Sequence, residues 1–313
     1  MVTPALLDAA RSRLAVGPVQ RRGLLRATGA DARDYLHRMS TQVVNGLAPG
    51  RTTYACFLEA KGHLLGEGHL LGLAEGVLLD LDPLALDATR APLERFVIMD
   101  DVAFEDLSGT HAVVPLLGPG AEAAAAALPG GAGLAHLNGR RGVPGLDLVR
   151  PLAEAEGVRA ALLMAGAEAL DEAALEALRI RGGFARFGVD MDGSRLPMEA
   201  ALTATAISFD KGCYTGQEVV LRATQRGQIQ RGLVQLELPA GAGPGATLLA
   251  AGAEVGVVTS AADLPEGRLG LGYLRRAHWK LGERLALGGA EGEAVVRRVL
   301  VEEPGGAGAK AAV

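Results

Sequence analysis

Apolar and polar positions along this chain change period repeatedly, and each change marks an element. The first 30 residues read as a helix followed by a strand, Gly23-Leu-Leu-Arg-Ala-Thr28. Asp31 then stands where a helix N-cap belongs, with Tyr35, Leu36 and Met39 on the inner face behind it. Residues 52–59, 62–73 and 76–81 are apolar runs that read as consecutive antiparallel strands, with a hairpin corner at Ala60-Lys61-Gly62. A helix is expected over 87–96 and a strand over 97–107. A further strand starts at Ala112, and an alanine-rich helix covers 121–128. The glycine-rich stretch 129–145 reads as loop, 146–150 as strand, and 171–181 as a helix starting at Asp171. Helices mixed with antiparallel strands make the expected fold class α+β.

The block Ala240-Gly-Ala-Gly-Pro-Gly-Ala246 breaks the chain, and short, evenly spaced strands follow it. That spacing predicts a small C-terminal β-barrel. The expected division is therefore an α+β region over 1–238, a barrel over 239–303 and a disordered tail over 304–313.

Composition narrows the function class. With 313 residues, 49% hydrophobic and 21% charged, the chain fits a globular protein. No apolar run reaches the ~18 residues of a membrane helix. Asp8 and Arg11 interrupt what would be a signal core, so a cytoplasmic protein without a membrane partner is expected. A net charge of −5 argues against nucleic-acid binding by bulk electrostatics. The two cysteines, Cys56 and Cys213, are far apart and no C-x-x-C occurs. No cysteine-rich metal or cluster site is expected, and any iron–sulfur role must be indirect. His63 and His69, six apart, share a strand face by period-two geometry and read as solvent-facing rather than metal-binding. Asp100-Asp101 and Glu105-Asp106 read as a strand-edge charge cluster, and Trp279 as an anchor between the barrel and its neighbour.

Candidate chemistry concentrates between Leu178 and Leu238. Leu196-Pro-Met-Glu199 sets a carboxylate behind a backbone-fixing proline. Lys211-Gly-Cys-Tyr-Thr-Gly-Gln-Glu218 places polar groups around two glycines and opens a helix at Gln217. Cys213, near Lys211 and a helix start, has a setting that lowers a thiol pKa; a small residue packed in a turn is the equal alternative.

This string resembles the K-G-C-Y-x-G-Q-E signature of the YgfZ family, relatives of the glycine-cleavage T-protein. Arg179, Gly183, Phe187-Gly-Val-Asp190, Pro197-Met-Glu199 and Arg231 are similar to the wider superfamily pattern, and the resemblance spans about residues 20–302. It implies a multi-lobed, T-protein-like fold around a cavity for tetrahydrofolate, or a one-carbon derivative of it. Glu199 matches the acid that pairs with the pterin N–H groups, Arg231 the cation for the anionic tail, and Phe187 an aromatic lining the ring pocket. Lys211, Gly212, Tyr214, Gly216, Gln217 and Glu218 complete the motif, with Lys211 in a structural role and Cys213 as the candidate functional thiol. Arg222 and Arg226, with Arg231, form a basic stretch that suits either polyglutamate or solvent. The resemblance implies an accessory protein for iron–sulfur protein assembly or repair, with iron–sulfur proteins or assembly factors as partners. A folate-dependent aminomethyltransferase is the alternative. Its aspartate belongs in an Asn-Ala…Lys-Asp context, whereas this chain reads Leu79-Asp-Leu-Asp-Pro-Leu-Ala-Leu-Asp87, where only Asp82 or Asp87 falls near.

Overall fold

The computed structural model describes residues 4–225, 229–289 and 291–302; the tail expected over 304–313 lies outside them. Three lobes are built, two of them from interleaved stretches of chain. The chain opens with α1 (Pro4–Ser12) and β1 (Ala15–Val16) and then enters the first lobe. That lobe holds β2 (Gly23–Thr28), α2 (Ala32–Met39), β3 (Thr52–Leu58), β4 (Leu64–Gly72), β5 (Val77–Leu81), α3 (Leu86–Arg95) and β6 (Ala103–Asp106). Its sheet runs β3-β4-β5-β2-β6, antiparallel throughout.

Gly66 and Gly68 alternate with Glu67 and His69 along β4. A Cβ on Gly66 would stand 2.3 Å from the Thr89 hydroxyl of α3, and one on Gly68 would stand 2.3 Å from the Asp80 carbonyl. One face of the strand is thus stripped of side chains so that neighbouring elements approach, while the other carries the polar pair.

The second lobe contains β7 (His111–Leu117), α4 (Ala121–Ala126), β8 (Leu134–Leu137), β9 (Gly145–Pro151), α5 (Leu152–Met164) and β10 (Glu168–Ala169). Its sheet order is β10-β1-β7-β9-β8, with β1 and β10 parallel. Next come α6 (Glu172–Gly182), α7 (Thr203–Ala206) and α8 (Gln217–Gln225). The third lobe is a closed barrel of β11 (Arg231–Leu238), β12 (Thr247–Ala250), β13 (Ala253–Leu264), β14 (Gly267–Arg275), β15 (Arg284–Gly288) and β16 (Glu293–Val299). Its first strand lies upstream of the expected start at 239. Closure leaves the barrel no open edge.

Several elements depart from the sequence pattern for physical reasons. The stretch 129–145 is not all loop: β8 pairs with β9 inside it, because an edge strand of four residues needs only one partner. The strand expected over 97–107 shrinks to β6, and Ile98 and Met99 stand exposed at 84% and 95%. Asp31 holds the N-cap position of α2, but its carboxylate accepts from the Asp101 N–H at 2.8 Å instead of capping the helix. Asp171 does cap α6, accepting from the Ala174 N–H at 2.7 Å. The lobes meet in one shared core, where Tyr54 and Leu58 of the first lobe join Leu117 and Val143 of the second, α6, and Leu233 and Leu271 of the barrel.

Candidate functional site

Where the first two lobes face α6 they leave a cavity of about 430 Å³. Tyr54 from β3 and Glu67 and His69 from β4 form one wall; Asn138, Arg140 and Arg141, between β8 and β9, form the opposite one. Phe187, buried in the segment after α6, also lines it. Strand register explains the first wall. Tyr54 lies directly opposite His69, and Glu67 stands two residues before His69, so all three project to one face. The Tyr54 hydroxyl donates to Glu67 Oε2, and the Arg140 guanidinium stacks 4.5 Å from the Tyr54 ring centroid.

Behind this wall lies a buried charge network. Asp80 on β5 is held by Arg22 Nε at 2.7 Å and by His136 Nε2 at 2.8 Å. Asp147 on β9 accepts from Arg141 Nε and Nη2, both at 2.8 Å, and from the Asn138 amide at 2.7 Å. Burial alone would raise the Asp80 carboxyl, but the Arg22 charge and the His136 bond outweigh it and hold the pKa well below the usual carboxylate range. Burial also disfavours charge on His136, yet Asp80 outweighs it and raises that pKa. The His69 ring stacks on His136 at 4.9 Å. Burial, reinforced by the His136 charge, pushes His69 well below 6.5, so it stays neutral. Asp80, His136 and Asp147 bring ligand-type atoms within 4.8 Å of one another. Arg22 and His136 already occupy the two oxygens of Asp80, and Arg141 those of Asp147, so this donor set reads as a charge network.

His69 is therefore buried at 8% exposure and not solvent-facing. β4 is covered on both faces, so alternation along it does not distinguish inside from outside. His63 lies just before β4, partly exposed and 2.8 Å from Glu59. The sequence reading missed Glu67, His136 and Asp147; the Gly-Glu-Gly-His alternation was the one signal that pointed to this wall.

Of the expected site residues Phe187 lines the cavity, and the others lie elsewhere. Glu199 sits half-buried in the turn after Pro197, its backbone carbonyl accepting from the Leu233 N–H of the barrel at 2.8 Å. Burial raises its pKa against the nearby charges of Arg195, Arg231 and His63. Glu199 and Arg231 thus share a neighbourhood at the barrel junction, and neither lines the cavity. Lys211 donates to the carbonyls of His37, Ser40 and Gln42, the last two at 2.6 and 3.0 Å, closing the C-terminal end of α2. Its Nζ also stands 5.1 Å from the ring centroid of buried Tyr214. Gly216, at φ +81°, lies against the Glu59 carbonyl. Gly212 and Cys213 are exposed; Gln217 and Glu218 begin α8, with Glu218 pairing to Arg222. Cys56 is buried. Asp82 borders the cavity, and Asp87 is exposed on α3. Arg226 lies outside the described residues. Among the described residues no helix is long and apolar enough to cross a membrane.

The family model described as CAF17, C-terminal beta-barrel domain, matches residues 230–301. A putative chloroplastic transferase of Arabidopsis thaliana is 25% identical over 303 residues, 90% of this chain and 70% of that protein. An aminomethyltransferase of Rubrobacter xylanophilus is 26% identical over 289 residues, 85% of this chain and 77% of its own length. The glycine cleavage aminomethyltransferase T of Bartonella henselae superposes with a TM-score of 0.82 at 24% identity, over 96% of this chain and 90% of that one, a likeness of fold. The tRNA-modifying protein YgfZ of Vibrio vulnificus is 30% identical over 230 residues, covering 71% of this chain and 70% of that protein. The chain belongs to the YgfZ family, on a T-protein-like α+β fold with a closed C-terminal barrel.

Proposed function

We propose that this protein binds tetrahydrofolate, or a one-carbon derivative of it, and acts as an accessory factor for iron–sulfur protein assembly or repair. The cavity between the lobes carries the reading. Its volume of about 430 Å³ suits a folded-in cofactor of folate size, and its lining is the right kind. Phe187 offers an aromatic surface to the ring systems, and Arg140, stacked on Tyr54 and without a carboxylate partner among the described residues, suits the anionic end. Glu199 and Arg231 are the pair the family pattern offers for the polar ends of the ligand, and Cys213 is the thiol it offers for chemistry. Cys213 stands exposed on a loop that Lys211 and Gly216 fasten to the first lobe. With Cys56 buried, this chain lacks the thiolates to hold a cluster itself, which favours service to other proteins. The name of the Vibrio relative concerns tRNA modification. With a net charge of −5, we read any such link in this chain as running through the proteins it serves, not through tRNA contact.

Calorimetric titration with tetrahydrofolate should give saturable one-to-one binding, weakened by Phe187→Ala; a flat titration ends the folate reading. Cys213→Ala should keep that binding yet fail to restore cluster-enzyme activity in cells lacking the endogenous relative. Full restoration removes the thiol from the mechanism. Methylene-tetrahydrofolate formed from an aminomethyl-lipoyl donor would instead establish a transferase.

A further inference from the structure

Three large apolar side chains stand in the open within four consecutive positions. Phe96, Ile98 and Met99, in the bend between α3 and β6, are exposed at 49%, 84% and 95%. Exposed apolar residues scattered singly are ordinary, but several on one bend mark a contact surface. This bend is pinned at both ends. The Phe96 N–H donates to the Pro92 carbonyl at 3.1 Å. Asp101 is tied to the start of α2: its N–H donates to Asp31 Oδ2 at 2.8 Å, its carbonyl accepts from the Asp31 N–H at 3.2 Å, and its Oδ2 accepts from the Ala30 N–H at 3.1 Å. Val97 packs inward against the core of the first lobe, which leaves its apolar neighbours outside. The flanking charges are of opposite sign. Arg95 is exposed, 5.9 Å from the Phe96 ring centroid, and has no ion-pair partner among the described residues; Asp100 pairs with Arg38.

We propose that this bend is where two copies of the chain pair, running in opposite directions across a two-fold axis between Val97 and Ile98. The string Arg95-Phe-Val-Ile-Met-Asp100 is complementary to its own reverse. Laid antiparallel on a second copy, it sets Arg95 opposite Asp100, Phe96 opposite Met99 and Val97 opposite Ile98, and the axis repeats each contact. A symmetric interface demands that property, since residue i meets j and j meets i. Burial of the aliphatic centre supplies the drive. The Met99 thioether meets the Phe96 ring, and the ion pairs close a polar rim. Each Asp100 is then shared between its own Arg38 and the Arg95 of the other copy. The order of the charges selects a second copy over an unrelated partner: a bend of one sign fits any surface of the other sign, whereas this one fits itself. No residue of the bend lines the cavity, so the inference is independent of the folate reading.

Sedimentation velocity of the full chain over a range of concentrations tests this. Three apolar side chains from each copy make a contact below the standard interface size, so a Kd on the order of 10–100 μM is expected. Ile98→Asp, at a position open to solvent, should weaken pairing more than about 30-fold while the far-UV circular dichroism stays that of wild type. Arg95→Asp and Asp100→Arg should each weaken it by at least about 10-fold, because the axis brings like charges together twice. An equal mixture of those two variants should pair again, since every facing charge is then of opposite sign. A wild type that stays monomeric up to about 1 mM overturns the proposal. So does a dimer untouched by Ile98→Asp, which places the contact elsewhere. Failure of the mixture to recover what its two components lose overturns the antiparallel pairing.

Discussion

Asp190 offers the most direct test of how the barrel is attached. It is 3% exposed and joins three parts of the chain. Its Oδ2 accepts from Arg179 Nη1 of α6 at 2.7 Å and from the Arg186 N–H at 3.0 Å. Its Oδ1 accepts from the hydroxyls of Thr259 and Ser260 on β13, at 2.5 and 2.6 Å. Replacing Asp190 by Ala leaves Arg179, itself buried at 7% exposure, without this counter-charge and takes an acceptor from two hydroxyls, although Thr259 still reaches the Leu271 carbonyl at 3.2 Å and Ser260 still accepts from Arg179 at 2.8 Å. Glu176 still pairs with Arg179 at 2.6 Å, so the guanidinium is not wholly abandoned. Breaking a buried pair from one side costs about 3–5 kcal/mol, and the surviving Glu176 contact places this case near about 3 kcal/mol. With an unfolding entropy of about 2.1 cal/mol/K per residue over 313 residues, that corresponds to a melting temperature lower by about 4–5 °C. Differential scanning calorimetry measures it directly. A fall of less than about 1 °C would show that the network contributes nothing net and that apolar packing alone docks the barrel.

Three further outcomes follow from the same geometry. In the ligand-free protein, unfolded His69 takes up a proton below about pH 6.5 that the folded form refuses, so stability falls as pH drops from there. His69→Phe should flatten the melting-temperature profile between about pH 6.5 and 5, by up to about 1.4 kcal/mol per pH unit; an unchanged slope refutes the burial argument. Gly216→Ala forces a Cβ to 2.7 Å from the Glu59 carbonyl at φ +81°, and should cost about 1–2 kcal/mol in urea unfolding. Lys211→Met removes three carbonyl partners from the end of α2, and should speed amide exchange around residues 40–42 more than about 10-fold, which protection mapped by mass spectrometry would reveal.

Much of the architecture could be read in the chain because local signals agreed with it. The corner at Gly62, the cap at Asp171 and the even strand spacing beyond residue 240 each depend on neighbours in sequence, and each sits where the pattern put it. The signature loop is also conspicuous, and what the structure shows of it is attachment. Lys211 grips the end of α2 from far along the chain, 174, 171 and 169 positions from His37, Ser40 and Gln42. The cavity wall was hidden for the opposite reason. Asp80, His136 and Asp147 come from strands of two lobes, 56 and 67 residues from Asp80, and no local periodicity encodes such a meeting. His136 was concealed further by the glycines around it, which mimic a loop although β8 needs only one edge partner.

The bare-and-toothed character of β4 has a consequence for how the protein reaches its working form. A shift of this strand by a single residue against β3 would swing Glu67 and His69 into the space now closed by Thr89 and the Asp80 carbonyl, while two hydrogen atoms would face the hollow. No half-correct product exists between these two alignments. Seating the polar wall of the cavity and completing the first lobe are consequently one event, and a polypeptide that folds at all arrives with Glu67 and His69 turned to the hollow.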